Sequence, residues 1–344
     1  MNEALSTRPP GGSASDGSLT DALDALDAVG HPRRGRDERL WAVAELLEED
    51  EEAARELSRR FELSREEVRG HLEAGRVALE EVLEVPSTGR PTRGISLCVL
   101  DWRELFGDGL ARVARELLRG RAVALLSDER WPAPAAAIYR SLSAAGFEGD
   151  ELVLVDGARD AELAEALGER RVDALSASGS VERIRRLRHA AVSARIEEQC
   201  LRTLRCSAFE VGHELAIEES ARQVLRAAFD RAVTLGGQLP GQVALAYVPQ
   251  RLYSHFTGVL LELLTASPEA CQPQPQVDRQ AARRARAAWV QGLDEGATMI
   301  SGGQEDLGPD ELRVPPTVFC NVEPHMRSAR RQEPLPVLSL VRVS

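Results

Sequence analysis

Thiols, carboxylates and one glycine–serine turn are the groups in this chain from which a chemical function could be built. Cys98, Cys200, Cys206, Cys271 and Cys320 are dispersed, with no Cys-x-x-Cys pair and no finger-like spacing. That pattern argues for reduced thiols rather than a zinc site or a disulfide framework. His31, His71, His189, His213, His255 and His325 are scattered just as widely, and so do not suggest a metal cluster. No Ser-His-Asp set, P-loop or zinc signature is present. All 43 basic residues are arginine. Arginine does not give up its proton, so lysine Schiff-base and lysine general-base mechanisms are excluded.

Gly179-Ser180 stands where a helix is predicted to open, and the N–H groups and dipole of such a terminus suit a pyrophosphate. Serine is equally a good helix cap, so the turn alone is weak support for a nucleotide. The run Arg183-Ile-Arg-Arg-Leu-Arg-His189 follows directly, and helical spacing places Arg183, Arg186 and His189 on one side. It can be read as a phosphate grip or as a solvated face balanced by Glu182 and Asp173; the acidic surroundings favour the second reading. The arginine-rich stretch from Asp278 to Arg286 reads as charged surface, and Glu48 to Glu52 as an acidic face or turn.

These groups sit in a chain of 344 residues, long enough for two domains, with 43% hydrophobic residues and a net charge of −12. The acidic balance excludes general nucleic-acid binding, which needs a basic footprint. No apolar run approaches the length of a membrane span, so no membrane partner is expected. Met1 to Ser18 is polar and rich in Gly, Ser and Pro, which predicts a disordered tail and no signal peptide. A cytoplasmic location is the expectation.

Two or three amphipathic helices are expected after the tail, one around Trp41 and one opened by Ser64-Arg-Glu-Glu, with a linker from Pro86 to Pro91. Strands are predicted at Ile95–Leu100, Ala122–Leu126, Glu151–Val155 and Asp173–Ala177, alternating with helices at 109–119, 135–145 and 161–167 and from Val181. Strand–helix alternation of this kind means βαβ units and a parallel sheet. Beyond Glu210, a helix over 218–232, a strand at 243–248 and helices over 253–264 and 278–291 are predicted. The fold class is therefore α/β: a Rossmann-like parallel-sheet domain and a second α/β domain. The boundaries are a tail over 1–18, N-terminal helices with a dinucleotide-binding-like domain over 19–205, and a second domain over 206–344.

The segments Gly296-Ala-Thr-Met-Ile-Ser-Gly-Gly, Pro316-Thr-Val-Phe-Cys-Asn-Val, Met326-Arg and Pro336-Val-Leu-Ser-Leu-Val-Arg resemble, in order and spacing, the catalytic domain of aldehyde dehydrogenases. Gln238-Leu-Pro-Gly-Gln-Val through Tyr253 fits the same pattern, and weaker similarity reaches back to about Arg36. The resemblance implies an aldehyde dehydrogenase-like fold in which the second domain is the catalytic one, truncated at its C-terminal end. It also implies that a β-hairpin is missing near Val85–Gly94, along with a dimer-forming strand. An exposed sheet edge is then expected, open to a protein partner or to self-association.

Position by position, the resemblance implies loss. Where the family has its nucleophilic cysteine this sequence has Pro240, and its oxyanion asparagine matches Arg103, expected to pair with a neighbouring acid. The cofactor-strand lysine matches Leu126, and Gln332-Glu-Pro334 replaces the ribose clamp. Glu210 matches the general base, as a vestige without a nucleophile to activate. Glu129 keeps a ribose-binding carboxylate, and Gly179 and Ser180 keep the phosphate turn. Cys206, four residues before Glu210, is the thiol nearest in sequence to that base, and reads as a small buried hydrophobe.

A non-catalytic binding, scaffold or regulatory protein follows, with no cofactor required and NAD or NADP the candidate should one be retained. The alternative is an NAD(P)-dependent oxidoreductase of aldehydes or acyl thioesters whose catalytic residues have moved.

Overall fold

A computed structural model of the chain describes residues 18–27, 35–85, 92, 94–147, 149–157, 160–196, 198–212, 216–267, 271–303 and 312–344. Residues 1–17 of the tail expected over 1–18, the linker expected over 86–91, His31 and His213 lie outside the described residues.

Helices α1 (Leu19–Asp27), α2 (Arg36–Glu48), α3 (Glu51–Phe61) and α4 (Arg65–Glu84) precede the first strand, one more than the sequence predicted. In α2 the buried Leu40, Val43, Ala44 and Leu47 follow helical spacing and form one apolar stripe. Ser64 and Glu67 close a capping box that starts α4. Gly75 lets α4 lie against its neighbours: a Cβ there would stand 2.7 Å from Leu47 Cδ2 and 2.9 Å from Phe106 Cβ.

Strands β1 (Ile95–Val99), β2 (Ala122–Leu126), β3 (Leu152–Val155), β4 (Ala174–Gly179) and β5 (Glu198–Thr203) form a five-stranded sheet in the order β3-β2-β1-β4-β5. Every pair is parallel. The crossovers are α5 (Gly107–Leu118), α6 (Ala133–Ala144) and α7 (Asp160–Gly168), while α8 (Val181–Ala194) leads into β5. Alternate strand residues feed opposite cores. Cys98, Val123, Leu125 and Leu154 pack with α2, α4, α5 and α6, while Leu97, Val99, Ala124 and Leu175 pack with α1, α7 and α8. This Rossmann-like layering places the open crevice at the carboxyl ends of β1 and β4, where the strand order reverses.

The second sheet contains β6 (Ser207–Glu210), β7 (Val243–Pro249), β9 (Thr298–Ser301), β11 (Thr317–Val322) and β12 (Val337–Val343), in the order β6-β7-β12-β11-β9. Only β9 is antiparallel to its neighbour. Helices α9 (Ile217–Phe229) and α11 (Gln250–Ala266) cover one face, and α12 (Arg279–Asp294) covers the other. The single helix predicted over 218–232 is instead α9 followed by a short α10 (Arg231–Thr234), because Asp230 leaves helical geometry and caps the Ala232 N–H. A small ribbon pairs β8 (Gln274–Pro275) with β10 (Arg313–Val314) in antiparallel register. Leu235, Leu239, Val277 and Ala281 from this half join the core of the first, so the two sheets share one packed junction.

Candidate functional site

Three pieces of chain meet at the junction of the two sheets: the turn after β1, the turn after α10, and the stretch that leads into β12. After β1, Asp101 opens a 3-10 turn (Trp102–Glu104) by accepting the Arg103 N–H. Arg103 then folds back on the same carboxylate, with Nε and Nη2 each 2.8 Å from its two oxygens. Arg130 adds a third guanidinium contact to Asp101 at 3.0 Å while pairing with Asp128 at 2.6 Å. Burial alone would raise the Asp101 pKa, but the hydrogen bonds and charges of Arg103 and Arg130 outweigh it and hold the carboxyl at about 2. Asp101, Trp102, Arg103 and Glu104 are all buried, so this turn is interior packing rather than an open arm.

Glu104 continues the network inward. It accepts from Arg112 at 2.9 Å and from the Ser178 hydroxyl at 2.5 Å, and Arg112 reaches Ser176 at 3.0 Å. Burial pushes its pKa up. Phe61, Trp102 and Trp131 cover one side, with centroids 5.2 to 6.1 Å apart.

The turn 235–241 is built on Gly236 and Gly237, both at positive φ. A Cβ on Gly237 would meet the Pro336 Cα at 2.8 Å, so this turn is pressed onto the stretch before β12. Gln238 ties the turn to the loop that holds β8, donating to the carbonyl of Pro275 and accepting the Val277 N–H. Gly241 N–H donates to the Arg205 carbonyl at 2.9 Å, and the Ser207 hydroxyl donates to the Gly241 carbonyl at 2.6 Å. The backbone on either side of Cys206 is therefore bonded to Gly241. Its thiol donates to the Arg331 carbonyl at 3.2 Å, and burial pushes its pKa up. Such a thiol is a poor nucleophile.

Glu210 ends β6, exposed, opposite Tyr247 of β7. Along an extended segment four residues span roughly 13 Å, which separates Glu210 from Cys206 by far more than one proton-transfer contact. Glu129 lies exposed past the end of β2, its Cγ against Gly157. Gly179 ends β4, and Ser180 caps α8 by accepting the Arg183 N–H at 3.2 Å. Arg183 lies over Gly179, and the charge partner of Arg183 and Arg186 is Asp160, not the Glu182 and Asp173 expected from sequence. The structure thus places Glu129 past the carboxyl end of β2 and Gly179 and Ser180 at that of β4, on either side of β1, with Glu210 in the other sheet.

The model of the aldehyde dehydrogenase family matches residues 22–344. The chain belongs to the aldehyde dehydrogenase family. No curated protein matches it. Among solved structures, a variant aldehyde dehydrogenase C of Pseudomonas syringae, bound to NAD+ and octanal, is 20% identical with a TM-score of 0.81, covering 95% of this chain and 73% of that one. An NAD-dependent benzaldehyde dehydrogenase of Corynebacterium glutamicum is 18% identical with a TM-score of 0.78, covering 93% and 75%. An aldehyde dehydrogenase of Bartonella henselae is 20% identical with a TM-score of 0.80, covering 95% and 75%. At these identities the likeness establishes the aldehyde dehydrogenase fold.

Within this aldehyde dehydrogenase frame, Glu129 follows β2, Gly179 ends β4 and Ser180 opens α8, and Arg183 lies across the glycine. Arg103 has its Nε and Nη2 committed to Asp101, and burial holds the Cys206 thiol toward its protonated form. Reading the sequence missed Asp101 and Arg130 as the partners in the buried network that holds Arg103. Glu333 holds Arg284 at 2.9 Å and is close enough to Arg103 for its charge to be felt there. Charged residues next to the matched motifs were the one available signal. Among the described residues no group of three or more His, Cys, Asp and Glu side chains is arranged to hold a metal, and no helix is long and apolar enough to cross a membrane.

Proposed function

We propose that this aldehyde dehydrogenase-family chain does not oxidise aldehydes and acts instead as a binding, scaffold or regulatory module. The observation that carries this reading is the state of the crevice at Pro240. Proline has no group to add to a carbonyl, and the Cys206 thiol, on the stretch bonded to Gly241, is hydrogen-bonded to a carbonyl and shifted toward its protonated form. Arg103 cannot serve as a mobile oxyanion donor while Asp101 holds it in two places. Glu210 then has no nearby group to activate and is a vestigial base.

NAD or NADP is the candidate ligand for the end marked by Glu129, Gly179 and Ser180, bound without turnover. Calorimetric titration with each dinucleotide tests that part; saturable binding is expected only if Arg183 moves off Gly179. A sheet edge such as β5 or β6 is the candidate surface for a protein partner or a second copy.

One observation favours the alternative of an NAD(P)-dependent oxidoreductase of aldehydes or acyl thioesters: Cys206 is placed next to the turn where a nucleophile is needed. Purified protein supplied with NAD or NADP and a panel of aldehydes and acyl thioesters separates the two readings. Absence of cofactor reduction or oxidation is expected. Turnover abolished by Cys206→Ala would overturn the non-catalytic reading.

A further inference from the structure

Away from the Pro240 turn and the Gly179 turn, the fold leaves a cavity of about 550 Å³ bordered by α9, α10, α11 and the start of α4. Arg222, Leu225, Arg226 and Phe229 follow i, i+3, i+4, i+7 spacing, so one face of α9 forms a wall of it. Leu263 and Leu264, from the last turn of α11, extend the apolar part of that wall. These leucines and Phe229 belong to the core that α9 and α11 build over the second sheet, which the cavity therefore adjoins.

Charge enters from α4 and the α9–α10 junction, through Glu67, Asp230 and Arg231. Both acids already serve helix caps. Glu67 accepts the Ser64 N–H at 2.7 Å, and Asp230 accepts the Ala232 N–H at 2.9 Å. The Nε of Arg231 stands 3.8 Å from Glu67, too far for a hydrogen bond, and is buried with no hydrogen-bond partner. Its Nη2 donates to the Phe61 and Glu62 carbonyls, and the side chain is still 30% exposed. Arg226 lies 3.4 Å from Asp230 and is largely exposed, while Arg222 pairs with Glu218 at 2.6 Å. In a chain of net charge −12, three guanidinia and two cap-bound acids thus ring an apolar cavity.

We propose that this cavity binds a small amphipathic carboxylate, its apolar body against Leu225, Phe229, Leu263 and Leu264 and its carboxylate toward Arg226 and Arg231. Small-molecule sites have volumes in this range and join a mostly apolar wall to a few polar groups. A guanidinium with a buried, unpartnered nitrogen is costly, and an anion drawn to its exposed part offsets that charge. A bare inorganic anion would leave the apolar wall in water, so the apolar body is part of the ligand. None of these residues belongs to the Asp101 network, the Gly179 turn or the Pro240 turn. The site therefore stands or falls independently of dinucleotide binding and of aldehyde turnover.

Calorimetry and thermal unfolding of the full chain, titrated with sodium 4-phenylbutyrate at constant ionic strength, test the site. As controls, 4-phenylbutyramide removes the charge and sodium acetate removes the apolar body. Saturable binding and a rise in melting temperature are expected with phenylbutyrate, and affinity about tenfold or more weaker with either control. Leu225→Glu sets a repelling carboxylate into the partly exposed wall and should abolish binding; Arg226→Gln should weaken it about threefold. No saturable response to phenylbutyrate, a control that binds as tightly, or binding that survives Leu225→Glu would each overturn the proposal. Should Leu225→Glu fail to fold, Arg226→Gln decides at an exposed position, where unchanged affinity would overturn the proposal just as clearly.

Discussion

Arg103 donates Nε and Nη2 to the two carboxylate oxygens of Asp101, at 2.8 Å each, although the residues are only two positions apart. A fork closed over so short a loop needs the tight 3-10 turn that Asp101 itself caps, so the carboxylate both builds the turn and traps the side chain that follows it. The arginine that stands where an oxyanion donor is expected is thereby turned into structure.

Asp101→Asn should be strongly destabilising. It leaves Arg103 buried without its anion and removes one of two acids from Arg130, a change of about 3–5 kcal/mol for a broken buried pair. Chemical denaturation measures it. The double variant Asp101→Asn with Arg103→Met should recover much of the loss, and a double variant no better than the single one would show that the pair is not the cause.

His71 makes stability depend on pH near neutrality. Burial lowers its pKa below 6.5, while its Nε2 lies 3.1 Å from the Arg231 carbonyl and Glu67 and Asp230 pull weakly the other way. The folded state binds fewer protons at this group than the unfolded state. Its stabilising contribution is present above about pH 6.5 and declines as pH falls toward the lowered folded value. Melting temperature should drop between about pH 7 and pH 5, and His71→Gln should flatten that slope.

The thiols should divide by exposure. Cys200 is exposed on β5, whereas Cys98 is fully buried with its pKa pushed up to about 12. Cys206 is half-buried and also raised. Labelling of the native chain with a thiol reagent should show a fast phase that Cys200→Ser removes. Fast labelling of Cys206 at neutral pH would contradict its assignment as a protonated, hydrogen-bonded thiol.

Gly237→Ala should destabilise the junction between the 235–241 turn and β12. The position has φ +92, and the added Cβ would stand 2.8 Å from the Pro336 Cα and 3.1 Å from the Ala228 carbonyl oxygen. Backbone cannot swing aside as a side chain can, so a loss on the order of 1–3 kcal/mol is expected, read from the unfolding midpoint. A neutral result would mean that the turn can lift away from Pro336.

Much of the architecture was legible from one dimension. The runs at 95–99, 122–126 and 152–155 are short, apolar and separated by helical spacing, which is enough to define a parallel sheet. β5 and β6 were not legible. Glu198 to Thr203 and Ser207 to Glu210 lie on sheet edges with alternating exposure, so they lack the apolar run that marks an interior strand. The break at Asp230 was also invisible, because an aspartate within a helical pattern declares itself as a cap only once the backbone has turned.

The sequence by itself determined the layered α/β plan, the family resemblance and the residue types at 103, 126, 210 and 240, because periodicity and motif spacing are local properties of a chain. Tertiary structure decided how those residues are used. Arg103 is spent on Asp101, Ser180 on a helix cap, and Arg183 and Arg186 on Asp160, while Cys206 meets the Pro240 turn only because Arg205 and Ser207 bond to Gly241. Pairing between charges depends on distances across the fold, and those distances exist only after both sheets have packed.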